Sequence, residues 1–135
     1  MKKYKMLSLP QLGDERGHLV VVEGLKNIPF EIKRMFYIYG TLPDVIRGQH
    51  ANKNSEFVLI NLAGNCKIKV DDGVNKEVIV LDKAHEGIYL DKMVWKDMYD
   101  FSENSILLVL SNFSYDSNEY VRDYSEFKKI TNELN

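Results

Sequence analysis

The fold class and the candidate site of this sequence are both indicated by one stretch, RGQHANKNSE, which runs from Arg47 to Glu56. Alternate residues of a β-strand point to the same face, so His50 and Asn52 share one face and their immediate neighbours share the other. If Arg47, His50 and Asn52 open into a cavity, its mouth is polar and cationic and suits an anionic ligand. The alternative is a set of charges exposed to solvent.

The rest of the chain consists mainly of short runs of β-branched and aromatic residues separated by turn residues, which is the pattern of strands. We predict nine strands, over Leu19–Glu23, Arg34–Tyr39, Ile46–His50, Glu56–Leu62, Cys66–Val70, Glu77–Leu81, Gly87–Leu90, Met93–Phe101 and Ser105–Ser111. Only the stretch Ser125–Leu134 has apolar residues at helical spacing, and Ser125 is its predicted N-cap. Nine strands at such regular spacing predict an all-β jelly roll or small barrel with a short C-terminal helix.

Composition excludes several classes of protein. With 135 residues and 44% hydrophobic residues, the chain suits one domain, residues 1–135, with one core. The net charge of −2 and the lack of a basic run argue against nucleic-acid binding. The single cysteine, Cys66, alternates with Ile68 and Val70 and is predicted to lie in the core. We recognise no secretory or membrane-spanning segment, so we expect a cytoplasmic protein that does not associate with membranes.

The outline Gly48-x-His50-x-Asn52, followed by Glu56, is similar to the first motif of the cupins. In metal-binding cupins, two histidines and the glutamate hold an ion, and a third histidine comes from a later strand. Here Asn52 stands in place of the second histidine, and Lys96 stands at the later position. An ammonium group is a poor metal ligand. The resemblance therefore implies a cupin jelly roll, a double-stranded β-helix barrel, with neither metal nor other cofactor.

Several segments together resemble the dTDP-4-keto-6-deoxyglucose 3,4-ketoisomerases, the WxcM-like or FdtA-type sugar isomerases: Asp14–Gly17, Asn27–Arg34, Arg47–Ala51, Val94–Trp95, Asp100–Phe101 and Asp116–Phe127. Such enzymes move the ketone of dTDP-4-keto-6-deoxyglucose from carbon 4 to carbon 3, ahead of an aminotransferase, in the synthesis of lipopolysaccharide O-antigen or S-layer sugars. The segments resemble, more distantly, the 3,5-epimerases of the dTDP-rhamnose pathway. This resemblance implies an isomerase acting on a dTDP-linked 4-keto-6-deoxy sugar.

Three residues are candidates for the catalytic step. His50 is the predicted general base, because its usual pKa lies near neutrality and the carbon-3 hydrogen beside a ketone is acidic. Tyr37 offers a phenol, which the related epimerases use to carry a proton, although a packing role is an equal alternative. The ketoisomerases usually have a histidine at the position of Asn52. An amide cannot carry protons, but it can donate a hydrogen bond to an enediolate oxygen.

Five residues are candidates for substrate binding. Guanidinium groups match phosphate oxygens, so Arg16, Arg34 and Arg47 are predicted to bind the diphosphate, with salt bridges inside the chain as the alternative. Trp95 is predicted to stack on thymine, with core packing as an equal alternative. The family usually has a histidine where this chain has Lys96. Three roles stay open for this lysine: acid, phosphate ligand or exposed residue.

The product and the assembly follow from these assignments as expectations. A single base, His50, most easily returns the proton to carbon 4 from the face on which it removed the carbon-3 hydrogen, which favours dTDP-3-keto-6-deoxygalactose over the gluco product. The gluco product needs a second proton donor. The alternatives are a 3- or 5-epimerase and a non-catalytic cupin that binds a sugar nucleotide. We also expect a homodimer in which the segment before Arg16 pairs with the partner's sheet.

Overall fold

Two five-stranded antiparallel sheets face each other across the main hydrophobic core. The computed structural model describes residues 1–134. In that part of the chain the elements are β1 (Tyr4–Ser8), β2 (Gln11–Asp14), β3 (Gly17–Val20), β4 (Arg34–Tyr39), β5 (Arg47–Asn52), β6 (Phe57–Ala63), β7 (Cys66–Asp71), β8 (Lys76–Leu81), β9 (Glu86–Leu90), β10 (Trp95–Tyr99), β11 (Ile106–Ser111), β12 (Tyr120–Val121) and α1 (Tyr124–Leu134). The front sheet has the order β1-β9-β6-β11-β4, and the back sheet has the order β12-β5-β10-β7-β8.

The sequence-based prediction of an all-β fold with a short C-terminal helix is confirmed. Eight of the nine predicted strands agree with the structure to within two residues at each end. The ninth, Leu19–Glu23, overlaps β3 over only two residues. The structure adds β1, β2 and β12, which are short, and β2 is exposed along its whole length. Such strands carry almost no buried apolar pattern, so they were missed.

Three hydrophobic clusters hold the layers together. The first fills the space between the sheets and includes Leu59, Ile68 and Leu107. The second covers the outer face of the front sheet, where the segment between β3 and β4 contributes Ile28 and Phe30. The third covers the outer face of the back sheet and joins Ala51, Met93, Trp95, Val121 and Phe127. Cys66 is buried in the first cluster, which confirms its predicted place in the core.

The C-terminal helix packs its apolar side against the back sheet. It begins at Tyr124, one residue before the predicted start, and the Asp123 carboxylate accepts the backbone N–H of Ser125 at 3.0 Å. Asp123 therefore caps the helix, and the prediction that Ser125 is the N-cap is wrong. Phe127 lies on the buried side of the helix. Among residues 1–134, no helix has the length and apolar character required to cross a bilayer.

Candidate active site

A cavity of about 150 Å³ opens between the two sheets near strands β4 and β5. The front sheet contributes an apolar wall, whereas the back sheet contributes most of the polar groups. The lining residues are Phe36, Ile38, Arg47, Gly48, His50, Phe57, Leu59, Lys96, Met98, Val109 and Tyr120. Phe36 and Ile38 of β4 therefore face the interior.

A bulge in β5 brings both Arg47 and His50 to the cavity. Lys96 of β10 pairs with His50, but the next residue of β10 pairs with Gly48, so Gln49 is an extra residue in the ladder. Gly48 and Gln49 have φ values of 86° and 56°. A Cβ on Gly48 would lie 2.9 Å from the carbonyl oxygen of Lys96, so only glycine fits there. Simple alternation would have placed Arg47 and His50 on opposite faces.

His50 is held as a neutral base. Its Nδ1 lies 2.9 Å from the carbonyl oxygen of Gly48. Because a carbonyl can only accept a hydrogen bond, Nδ1 carries the proton and Nε2 is left as the basic nitrogen. Burial, followed by the positive charge of Lys96, lowers the pKa of His50 to about 4. The ring packs against Tyr120 in a tilted arrangement, with centroids 4.6 Å apart and an interplanar angle of 35°, which limits its rotation.

Lys96 is buried next to Asn52. Its Nζ donates to the Asn52 side-chain oxygen at 3.2 Å and lies 4.3 Å from the centroid of the Phe57 ring. Burial lowers the pKa of Lys96 to about 7, and the negative charge of Glu119 partly opposes this shift. The Nδ2 group of Asn52 is buried without a hydrogen-bond partner in the structure. Asn52 and Lys96 thus have N–H groups that are free to donate to a ligand. The predicted alternative that Lys96 is an exposed residue is wrong.

Arg34 adds a second set of unpaired donors. Its guanidinium carbon lies 5.6–6.0 Å from the ring centroids of Phe36, Phe57 and Tyr115. Its Nε and Nη2 atoms are buried and have no hydrogen-bond partner. Buried N–H groups are rarely left unpaired in a folded protein. Arg34 and Asn52 are not among the lining residues, but each contacts a residue that is. Their donors and those of Lys96 therefore suit a ligand rich in oxygen atoms.

The Glu119 carboxylate, which is near this cavity, already accepts hydrogen bonds from the protein. Glu119 is buried and accepts the backbone N–H groups of Asn54 and Ser55, at 3.0 and 2.8 Å, together with the Ser55 hydroxyl. It therefore anchors the loop after β5. Among residues 1–134, no three His, Cys, Asp or Glu side chains are grouped so that they could hold a metal ion. A reaction without a metal stays a prediction.

The structure does not bring Tyr37 and Trp95 into the cavity. Tyr37 lies on the opposite face of β4 from Phe36 and is 59% exposed, so within this chain it cannot carry a proton for His50. Trp95 is on the outer face of β10, where its ring packs against Tyr124 and Phe127 at centroid distances of 5.2 and 5.7 Å. Of its two predicted roles, core packing is the one that the structure supports.

Arg16 is also outside the cavity lining. It lies at the turn between β2 and β3, with 87% of its side chain exposed, and it forms an ion pair with Asp14 at 2.7 Å. A salt bridge inside the chain was the alternative role that the sequence analysis gave for Arg16. A role for Arg16 at the diphosphate stays a prediction.

Tyr120 is a polar lining residue that the sequence analysis did not predict. It belongs to a strand of only two residues, so no alternation pattern reveals which way it points. Its position within the segment Asp116–Phe127, one of those that carry the family resemblance, was the available signal. Its ring lies against both His50 and Tyr115. Tyr120, and not Tyr37, is the tyrosine next to the predicted base.

The fold and the site together define a small jelly-roll protein of the cupin type, with one histidine and two cationic side chains, Arg47 and Lys96, lining an interior cavity. Residues 2–132 match the family model described as WxcM-like, C-terminal (FdtA), and the chain belongs to this family. It is 41% identical over 131 residues to a TDP-4-oxo-6-deoxy-alpha-D-glucose-3,4-oxoisomerase of Aneurinibacillus thermoaerophilus, covering 97% of this chain and 94% of that protein.

Solved structures give the same result. WlaRA of Campylobacter jejuni, a TDP-fucose-3,4-ketoisomerase, is 47% identical with a TM-score of 0.93, over 98% of both chains. WlaRB of the same organism, a TDP-quinovose 3,4-ketoisomerase, is 44% identical with a TM-score of 0.91, over 96% of this chain and 99% of that one. QdtA of Thermoanaerobacterium thermosaccharolyticum, solved with TDP, is 34% identical with a TM-score of 0.95, over 98% and 96%. The predicted family and enzyme class, a sugar 3,4-ketoisomerase, are confirmed.

Proposed function

We propose that this protein binds dTDP-4-keto-6-deoxyglucose and moves its ketone from carbon 4 to carbon 3, with His50 as the base. The observation that carries this proposal is a neutral His50 with its Nδ1 bound to Gly48 and its Nε2 left for substrate, in a cavity that Arg47 and Lys96 also line. A cavity of about 150 Å³ is smaller than the usual site for a whole drug-sized ligand. It therefore suits the sugar ring, with the nucleotide lying outside.

The reaction begins at carbon 3, where the neighbouring ketone makes the hydrogen acidic. His50 Nε2 removes this hydrogen and becomes an imidazolium, while negative charge develops on the carbonyl oxygen. Lys96, which lines the cavity, is the nearest cation to that charge, and the unpaired N–H groups of Asn52 and Arg34 lie next to lining residues, where they would add to its stabilisation. Arg47 lies at the exposed edge of the cavity, where a diphosphate would lie. Arg34 is more enclosed and lies beside the lining residues Phe36 and Phe57, so an oxygen of the sugar is a better candidate partner for it than the diphosphate.

We propose 3-keto-6-deoxygalactose as the sugar of the product, formed when His50 returns its proton to carbon 4 on the same face. The wall opposite His50 supports this proposal, because Phe36, Ile38 and Val109 carry no proton donor. The relatives leave both configurations open, since WlaRA is named for fucose, a 6-deoxygalactose, and WlaRB for quinovose, a 6-deoxyglucose, at similar identities.

The test is to incubate the purified protein with dTDP-4-keto-6-deoxyglucose in deuterated water and to record proton NMR spectra. Exchange at carbon 3 together with the appearance of a hydrogen on carbon 4 identifies the ketoisomerase. A small coupling between hydrogens 4 and 5 identifies the galacto product, and a large coupling the gluco product. Exchange at carbon 5 alone would identify an epimerase, and an unchanged substrate would identify a non-catalytic binder.

We also propose a homodimer, formed on the exposed apolar face of β4 and the β2–β3 hairpin. Met35, Tyr37 and Tyr39 project from the outer face of β4 and are 59–70% exposed, and Leu12 and Leu19 of the hairpin are also exposed. Exposed large apolar side chains in such number are typical of an interface. A sedimentation mass of two chains at micromolar concentration is expected, and a mass of one chain would contradict it.

The predicted exchange of the N-terminal strand needs a separate test. In the single chain, β1 pairs with β9, and Ser8 lies opposite Glu86. In an exchanged dimer the same pairing would join two chains. The double variant Ser8→Cys with Glu86→Cys should then give a covalent dimer on a non-reducing gel. A monomer band from a protein that sediments as a dimer would show that the strand is not exchanged.

The cytoplasmic location stays a prediction from the sequence. Its test is fractionation of the native host, with the protein expected beside a cytoplasmic marker enzyme.

A further inference from the structure

Lys96 is a buried cation in the cavity. Binding of a sugar ring does not by itself explain why a lysine is buried there. It is only 3% exposed, and within residues 1–134 no carboxylate oxygen lies within 4.0 Å of its ammonium group. Taking an ammonium ion out of water without an ion-pair partner is costly. An amide oxygen and an aromatic ring compensate only in part. Such an arrangement points to a functional role.

The position of Lys96 relative to His50 is defined by the sheet. The two residues are direct partners across β10 and β5, and both line the cavity. Asn52 accepts one of the three N–H bonds of the ammonium group, which leaves two for a ligand. Lys96 can therefore contact oxygen atoms of a sugar whose carbon atoms face His50.

The proposed reaction requires two proton movements, and His50 accounts for only one of them. The substrate has a ketone at carbon 4 and a hydroxyl at carbon 3, and the product has the reverse. One hydrogen must move from carbon 3 to carbon 4, and another must move from the carbon-3 oxygen to the carbon-4 oxygen. The second movement needs a group near both oxygens that can give up a proton and take one back.

We infer that Lys96 is a catalytic residue that moves the proton from the carbon-3 oxygen to the carbon-4 oxygen, while His50 moves the hydrogen between the carbon atoms. This inference rests on the proposed function. As His50 removes the carbon-3 hydrogen, the Lys96 ammonium donates a proton to the carbon-4 oxygen and becomes an amine. The amine then takes the proton of the carbon-3 hydroxyl while the imidazolium protonates carbon 4. Both residues return to their starting states, so all protons balance.

The surroundings of Lys96 suit this exchange. Burial lowers its pKa to about 7, with Arg34 lowering it further and Glu119 raising it. The other charged or titratable groups that line the cavity are His50, Arg47 and Tyr120. Near neutral pH the amine and the ammonium are both populated, as efficient proton transfer requires. Since the cycle starts from the ammonium, turnover should fall as the pH rises through the pKa of Lys96.

The test compares Lys96→Met and Lys96→Arg with the wild type and with a control, Lys69→Met, an exposed lysine on neighbouring β7. Methionine removes the buried charge and should fold at least as stably, which a thermal melt checks. Arginine keeps a positive charge but does not give up its proton. Both variants should lose about 10²- to 10³-fold in kcat, with KM changed only a few-fold. The control should keep wild-type kinetics.

The pH profile separates proton transfer from a merely electrostatic role. The wild type should lose kcat above neutral pH, and this loss should be absent from the residual activity of Lys96→Arg. Wild-type turnover in Lys96→Arg, an effect on KM alone, or an unchanged pH profile would each overturn the inference while leaving the proposed function intact. A wild-type protein that does not isomerise the sugar would overturn the proposed function as well, and this outcome is seen before any variant is measured.

Discussion

The two faces of strands β5 and β10 differ in how their polar groups are satisfied. On the cavity face, Lys96 has no carboxylate partner within 4.0 Å among the described residues, and Asn52 keeps an unpaired amide group. On the outer face, Trp95 is covered by Phe127 of the helix, and its indole N–H donates to Asp97 at 3.3 Å. Neighbouring residues of one strand therefore lie either at the candidate site or in the packing beneath the helix.

The magnitudes explain how one sheet can support both faces. A buried polar group without a partner costs about 1–3 kcal/mol, and removing a buried tryptophan or phenylalanine side chain costs roughly 3–5 kcal/mol. The packing of Trp95 and Phe127 can thus offset the unpaired groups on the other face. If this comparison holds, substitutions on the cavity face should change chemistry, and substitutions on the outer face should change stability.

The largest effect is expected at His50. Replacing it by alanine or asparagine should lower turnover about 10²- to 10⁴-fold or more, because a positioned base is lost. Binding of the dTDP-sugar should barely change, as titration calorimetry can measure. His85→Ala, a change at a histidine outside the cavity lining, is the control. Turnover retained by the His50 variants would place the base elsewhere.

The next effect is on stability and comes from the outer face. Trp95→Ala should lower the free energy of unfolding by roughly 3–5 kcal/mol, measured by denaturant titration, because its ring packs against Tyr124 and Phe127. The kcat of the folded fraction should change only a few-fold. Trp95→Phe, which keeps an aromatic ring, should lose less stability. A large increase in KM at unchanged stability would instead support the predicted stacking on thymine.

A smaller effect is expected at the edge of the cavity. Arg47→Ala should weaken binding of the dTDP-sugar about 10- to 100-fold, since a hydrogen bond to a charged group contributes about 1.5–3 kcal/mol. Turnover at saturation should fall less than binding does. Arg47→Lys should restore only part of the affinity, because an ammonium cannot form the paired contact. Equal affinity in dTDP binding assays would remove Arg47 from the diphosphate site.

No effect on chemistry is expected from Tyr37. Because its side chain lies on the outer face of β4, Tyr37→Phe should keep kcat and KM within about two-fold, well below the 10²-fold worth of a proton carrier. Tyr120→Phe, beside His50, is the informative comparison. A loss of turnover in Tyr37→Phe at unchanged oligomeric state would show that the outer face takes part in the reaction.

Chelation should also have no effect. Treatment with a strong chelator should leave turnover unchanged, since the cavity lining has a single histidine among cations and residues 1–134 contain no group of three His, Cys, Asp or Glu side chains that could hold a metal ion. Elemental analysis of the purified protein measures the same point directly. One zinc or iron ion per chain, lost together with activity, would contradict the metal-free prediction.

Local sequence patterns predicted most of the strands because alternation and turn residues act over only a few positions. Eight strands, the helix and the common face of His50 and Asn52 followed from such patterns. The segments that resemble the ketoisomerases were sufficient for the family. The short strand that carries Tyr120 has no such pattern, and it is held in place only by its pairing with β5.

The tertiary structure decided which face of each strand became the site. Alternation places Trp95 and Lys96 on opposite faces, but only packing against the helix turns Trp95 outward and buries Lys96. The bulge at Gly48 and Gln49, which turns Arg47 towards the cavity, depends on the register with β10. The low pKa values of His50 and Lys96 arise from burial. Burial is produced by residues distant in sequence, so the chain determines the reactive groups and only the packed fold determines their chemistry.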